Sequence, residues 1–96
     1  DKPYMGAPKI VLDGHNYFAT ELCIVNEVPE RYLYAGELTD QEKKYAFIDG
    51  SKYYTPNSDG VPEDFYIYQE CGTPVSEHEV DNTKRQWAYV KWRLED

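Results

Sequence analysis

The chain has 96 residues, 41% of them hydrophobic and 16% aromatic, with ten tyrosines and a formal net charge of −8. That length makes one domain with one modest core and little room for a deep active site. The acidic balance opposes nucleic-acid binding, which draws its affinity from Lys and Arg on phosphates, and opposes adsorption to anionic membranes.

Asp1 to Pro8 contains two prolines and a glycine and reads as an extended N-terminal arm; residues 9–96 read as a single β-barrel-like domain. Lys9 to Leu12 is the first expected strand. Asp13-Gly14 turns it, because Asp-Gly can supply the two positive φ angles of a primed hairpin turn. The return strand starts at Asn16 and extends through Leu22-Cys23-Ile24-Val25 after a kink. Val28-Pro29-Glu30 is a turn. Arg31 to Leu38 alternates with a period of two, and Gly36 within it marks a bulge or a close backbone approach.

Thr39-Asp40-Gln41-Glu42 matches a capping box, which predicts a helical turn or two through Tyr45. Phe47-Ile48-Asp49-Gly50-Ser51-Lys52-Tyr53-Tyr54 echoes Val11 to Phe18, an apolar pair before Asp-Gly and two aromatics after it. It is read as a second hairpin, Ala46–Ile48 against Lys52–Thr55, one turn chemistry used twice rather than a duplication. Pro56 to Pro62 is a loop. Asp64 to Glu70 is a strand with Phe65 and Ile67 opposite Tyr66 and Tyr68. Cys71 to Thr83 reads as a long polar connection, with Ser76-Glu77-His78-Glu79 capping a short helical turn. Arg85 to Leu94 is the last strand. Ala88, Val90, Trp92 and Leu94 line one face of it, and Arg85, Trp87, Tyr89, Lys91 and Arg93 the other. The fold expected is all-β, a small partly open β-barrel of about six strands with one or two short helical turns.

Cys23 and Cys71 can form a disulfide closing a loop of about 49 residues, worth roughly 4 kcal/mol in the chain-entropy model. The alternative is two separate thiols acting as small hydrophobes. No Lys or Arg lies between Tyr53 and Thr83, while Lys84 to Arg93 carries four basic residues and no acid. The plain reading sets the acidic stretch beside the basic strand, where they neutralise one another.

The candidate binding face is Arg85, Trp87, Tyr89, Lys91 and Arg93, where aromatics interleave with cations and can stack on a partner's side chains or on sugar rings. The plain reading is a covered second apolar layer with Arg and Lys stems lying over it. Tyr32, Tyr34, Tyr53, Tyr54, Tyr66 and Tyr68 form a continuous aromatic patch if their strands are neighbours. The loop Asn57-Ser58-Asp59-Gly60 with Glu63 and Asp64 lacks the leading acids of a calcium loop. Glu77-His78-Glu79 with Asp81 is not a metal signature. No nucleophile–base motif is present, so no catalytic, cofactor or metal residues are assigned.

The order of the Lys9–Phe18 strand, turn and aromatic pair, followed by Val28-Pro29-Glu30-Arg31-Tyr32-Leu33-Tyr34-Ala35-Gly36-Glu37, resembles small exported or lipoprotein domains of Gram-positive bacteria. Phe65-Tyr66-Ile67-Tyr68 and the closing strand Trp87 to Trp92 fit the same plan. The resemblance covers about half the chain and implies location and fold rather than chemistry. It implies an extracytoplasmic protein, secreted or lipid-anchored at the cell surface through its precursor, with no direct membrane insertion. The function expected is a non-catalytic module that binds a protein or glycan partner. The alternatives are a carbohydrate-binding domain with exposed coplanar aromatics, and a small hydrolase or metal site around His15 or His78.

Overall fold

The computed structural model describes residues 9–41, 48–77 and 79–95. Six strands form one antiparallel sheet: β1 (Lys9–Leu12), β2 (His15–Val25), β3 (Tyr32–Glu37), β4 (Lys52–Pro56), β5 (Asp64–Ser76) and β6 (Glu79–Leu94). Their spatial order is β1-β2-β6-β5-β4-β3. The sheet curls into a half-barrel, so the all-β, partly open barrel expected from the sequence is the observed fold.

The first Asp-Gly turn behaves as its chemistry requires. Asp13 and Gly14 have φ of 52° and 81°, and Leu12 pairs with His15. The kink in β2 is a register shift between Ala19 and Ile24, and β3 carries one between Tyr34 and Gly36, whose φ of 139° suits glycine. Tyr32 N–H donates to Pro29 C=O at 2.9 Å, closing the turn expected at Val28–Glu30.

Three local expectations need correction. The second Asp-Gly does not join two halves of a hairpin. Gly50 alone has positive φ, and Ser51 N–H closes the turn on Ile48 C=O at 3.1 Å. The following β4 pairs with β3 and β5 instead, with Leu38 and Ser51 starting the β3–β4 ladder. Ala46 and Phe47 lie outside the described residues. The helix start at Thr39 is not formed: Asp40 sits at φ 59°, and the Gln41 side chain crosses to β1. The rest of that segment, through Tyr45, lies outside the described residues. The described residues contain no α-helix, at Thr39–Gln41 or at Ser76–Glu77.

The long polar connection Cys71–Thr83 is also a hairpin. β5 runs on to Ser76 and β6 begins at Glu79, paired Thr73–Asp81, Pro74–Val80 and Ser76–Glu79. Polar composition misled here because this hairpin projects beyond the core, so neither face needs to be apolar. Side chains replace part of the packing. Thr73 Oγ1 donates to Lys84 C=O at 2.7 Å, and Thr83 N–H and Oγ1 both donate to Asp81 Oδ1, at 2.9 and 2.6 Å. Those bonds hold the Asp81 carboxyl below its usual range. Residues 1–8, the expected arm, and His78 lie outside the described residues.

The core fills the concave side. Ile10 and Leu12 from β1, Tyr17 from β2, Leu38 and Ile48 from the loops around β4, Phe65, Ile67 and Cys71 from β5, and Ala88, Val90 and Trp92 from β6 form one buried cluster. Alternation along β5 and β6 turns every second side chain inward. Tyr17 stands edge-on to Phe65 at 4.8 Å and donates its hydroxyl to Pro62 C=O at 2.7 Å. Trp92 Nε1 donates to Gln69 Oε1 at 2.9 Å, so the buried indole keeps its hydrogen bond.

The described strands do not close on themselves, and among the described residues Gln41 spans the seam. Gln41 Oε1 accepts from Val11 N–H at 2.7 Å, while Gln41 Nε2 donates to Val11 C=O at 2.7 Å. A single carboxamide thus occupies the outward backbone groups of edge strand β1 as a neighbouring strand would. Beside it lies a recess of about 310 Å³ lined by Asp13, Gly14, Glu37, Asp40 and Tyr53, among others.

The cysteine bridge is not formed: Cys23 and Cys71 are free thiols. Cys71 belongs to the concave core, whereas Cys23 is half-buried and neighbours the Tyr66 hydroxyl. Tyr66 is on the convex side, so the sheet separates the two sulfurs.

Candidate functional site

The convex face of β3–β6 carries the aromatic side chains that the core leaves outside. Phe65 and Ile67 point inward, so Tyr66 and Tyr68 point outward, and the same parity turns Trp87, Tyr89 and Lys91 outward from β6. Cross-strand register then brings them together. Tyr68 lies opposite Tyr89, Tyr54 opposite Tyr66, and Tyr34 opposite Tyr54.

Five rings form a continuous strip from Trp87 through Tyr68, Tyr89 and Tyr54 to Tyr34. Successive centroids are 5.6, 4.9, 5.4 and 5.7 Å apart, and the interplanar angles are 36°, 48°, 79° and 62°. Contacts of this kind stabilise a sheet by a few tenths to about one kcal/mol each. The strip stays open to solvent at both ends, with Trp87 60% exposed and Tyr34 56% exposed, and Tyr68 is 38% exposed between them.

Beside the strip lies a tighter polar–aromatic group. Tyr32 and Tyr66 meet edge-on at 4.8 Å. Tyr32 donates its hydroxyl to Asp64 Oδ1 at 2.5 Å and accepts from Arg31 Nη2 at 3.1 Å. Lys91 Nζ lies 3.7 Å from Asp64 Oδ2 and 5.8 Å from the Tyr66 ring centre. Burial, and then the bond to Asp64, push the Tyr32 hydroxyl far above the usual tyrosine range. Burial also raises Tyr66, against the opposing pull of Lys91. Desolvation raises Tyr89, with Tyr54 beside it adding to the shift. These phenols are therefore neutral donors at physiological pH.

Of the sequence-derived face, Trp87, Tyr89 and Lys91 fall in or beside this patch. Arg85 sits near Trp87 and pairs with Glu70 at 3.6 Å. Arg93 is exposed opposite Asp64 and Phe18. No described element covers Trp87, so the plain reading of a covered second layer fails at that end of the face. The side-by-side arrangement of acidic and basic segments is present, through the Arg85–Glu70 and Lys91–Asp64 pairs between β5 and β6. The expected tyrosine patch forms from Tyr32, Tyr34, Tyr54, Tyr66 and Tyr68. Tyr53 departs from it: it faces the concave side, 5.8 Å from Phe65. The strand-by-strand reading missed that the strip crosses from β6 to β3, because the order β6-β5-β4-β3 is set by the fold and not by local pattern.

Among the described residues no group of three His, Cys, Asp or Glu side chains is placed to hold a metal ion. No described helix is long and apolar enough to cross a membrane. No family model, curated protein or solved structure matches the chain.

Proposed function

We propose that this chain is a non-catalytic, extracytoplasmic binding module that takes a protein partner on the convex aromatic strip. The observation that carries the reading is the open run Trp87–Tyr68–Tyr89–Tyr54–Tyr34, flanked by cations on a chain of net charge −8. Tyr and Trp with neighbouring Arg make up the usual energetic centre of protein interfaces. Around the strip lie Lys52, which acts electrostatically on Tyr89; Arg85, beside Trp87; and Lys91, opposite Tyr66. The partner surface that fits them is apolar at its centre with carboxylates at its rim. The extracytoplasmic assignment, secreted or lipid-anchored, rests on the resemblance to exported Gram-positive domains.

A glycan ligand is the second reading, supported by the exposure of Trp87. Flat stacking on a saccharide chain calls for coplanar rings, and tilts of 36° to 79° favour the irregular side-chain packing of a protein interface instead.

The test compares wild type with a Trp87→Ala/Arg85→Glu double variant. Surface and secreted proteins retained by wild type and lost from the variant are purified and titrated back. The expected result is a purified protein whose affinity falls at least about tenfold (about 1.4 kcal/mol) in a variant that keeps its thermal midpoint. Saturable binding of a cell-wall or dietary glycan to wild type by titration calorimetry, lost in the variant, would instead establish the carbohydrate reading. A large loss of thermal stability would show that the strip is structural.

A further inference from the structure

The strip ends at Trp87, and next to that ring the surface is indented. The β4–β5 ladder stops at Tyr53–Ile67, so β5 runs on past it with no strand on that side among the described residues. The turn Ile48–Ser51 stands there instead, held by the Ser51 N–H bond to Ile48 C=O and the Leu38 N–H bond to Ser51 C=O. A recess of about 160 Å³ is left between turn and sheet. Trp87, Arg85 and Glu70 line it from the convex face, Ile48 and Gln69 from the core side, and Ser51 from the turn.

Its polar groups are mostly donors. Gln69 Oε1 accepts from the buried Trp92 indole N–H at 2.9 Å. An indole N–H can only donate, so the amide is fixed with its oxygen on Trp92. Gln69 Nε2 makes no hydrogen bond among the described residues. Arg85 Nε lies 3.6 Å from Glu70 Oε1, beyond hydrogen-bond reach, and the guanidinium likewise makes no hydrogen bond among the described residues. Ser51 adds a hydroxyl. Partly buried donors call for an acceptor. The remaining walls are apolar, from Ile48, which is 3% exposed, and the Trp87 ring. A cavity of about 150 Å³ takes up benzene, so the volume suits one ring-sized side chain and not a run of sugar rings.

We propose that this recess is the anchor subsite of the interface and takes the C-terminal residue of the partner. An apolar, ring-sized side chain lies against Trp87 and Ile48, and its free carboxylate meets Gln69 Nε2 and the Arg85 guanidinium. The inference rests on the protein-partner reading of the strip. At a chain terminus a carboxylate and an apolar side chain belong to one residue, so both fit a recess of this size. Arg binds a carboxylate through two parallel hydrogen bonds, and the Gln69 amide is already oriented by the Trp92 indole before anything binds. Glu70 is the opposing group, because it competes with the incoming carboxylate for Arg85.

The experiment titrates N-acetylphenylalanine, N-acetylphenylalaninamide and N-acetylglucosamine, each to about 20 mM, into the whole chain near neutral pH. NMR follows the Gln69 side-chain amide, the Trp87 indole N–H and the Ile48 methyl groups. The expected result is saturation by the acid with a Kd of about 1 mM, at least about tenfold weaker binding of the amide, and no saturation by the sugar. Gln69→Glu keeps the acceptor for Trp92 but sets a carboxylate in place of the donor, so it is expected to lose the acid at an unchanged thermal midpoint. Arg85→Gln is expected to erase the difference between acid and amide. Glu70→Gln is expected to tighten the acid at least about twofold. In a captured partner, removal of the C-terminal residue is expected to weaken binding at least about tenfold. An amide that binds as tightly as the acid, saturation by the sugar alone, or acid binding undiminished in Gln69→Glu overturns the proposal. A partner captured through the strip while no acid binds overturns this subsite and not the strip. Acid bound in the recess with no protein captured overturns the protein-partner reading and leaves a site for free apolar acids.

Discussion

Removing the Gln41 side chain tests how the half-barrel is held at its open seam. In Gln41→Ala, Val11 loses an acceptor and a donor, each at 2.7 Å, and the Thr39 C=O loses a donor at 3.0 Å. The Val11 bonds are partly buried, so water replaces them incompletely. At about 1 kcal/mol for each Val11 bond, and less for the exposed Thr39 bond, the expected cost is about 2 kcal/mol. A chain of this size has about 5–14 kcal/mol of stability in all. The thermal midpoint should then fall by about 8–16 °C. Gln41→Glu is the sharper probe, because it keeps the acceptor and the shape. Near neutral pH its carboxylate sets an oxygen against Val11 C=O, beside Asp13, Glu37 and Asp40. When protonated, it can donate there again. The carboxyl pKa is thus raised in the folded state, so its contribution is present at low pH and is lost as pH rises through that pKa. The deficit relative to wild type should shrink as pH falls from 7 towards about 4. Urea denaturation followed by tryptophan fluorescence gives both numbers, and Val11 amide exchange locates the effect. A Gln41→Ala variant within about 0.5 kcal/mol of wild type, or a Gln41→Glu deficit that ignores pH, would refute the seam as an energetic feature.

Other outcomes follow from the same structure. Gly72→Ala should cost about 1–3 kcal/mol, since a Cβ there would stand 2.6 Å from Asn82 Oδ1 and 2.7 Å from Val80 Cγ1 at a bulge in β5; a neutral thermal midpoint would show that this hairpin shifts freely. Tyr32, Tyr53, Tyr66 and Tyr89 all have hydroxyls raised chiefly by burial. The folded state keeps these protons above pH 10 while the unfolded state releases them, so stability is intact below about pH 10 and falls as pH rises beyond it. Ultraviolet titration of phenolate should show a late-ionising group of tyrosines that titrates together with unfolding; a single transition with no late group, completed while the protein is still folded, would contradict the burial. Burial raises the Cys71 thiol as well. Alkylation of native protein without reductant should therefore modify Cys23 first and Cys71 only on unfolding; a mass that resists alkylation in denaturant until reductant is added would restore the disulfide.

Much of the fold can be read from local chemistry. Asp13-Gly14 makes a primed hairpin because both residues accept positive φ and the strands on either side of it pair with each other. The two faces of β6 follow from a period of two in Arg85 to Leu94. Where the local signal competes with a partner distant in sequence, the reading fails. The second Asp-Gly turns the chain, but β4 finds its partners in β3 and β5. Thr39–Gln41 has the residues of a cap, yet Gln41 serves β1, thirty positions earlier. Cys71–Thr83 looks like a loop because its hairpin stands clear of the core.

The candidate site divides the same way. Sequence alone determined that Trp87, Tyr89 and Lys91 share one face and that Tyr66 and Tyr68 share another, since parity is a property of each strand by itself. Only the tertiary structure decided that these are one surface, that Tyr34 and Tyr54 extend it, that Tyr53 leaves it for the core, and that Cys23 and Cys71 lie on opposite sides of the sheet. Those facts depend on strand order and register, which are set by contacts between residues far apart in the chain and leave no local mark.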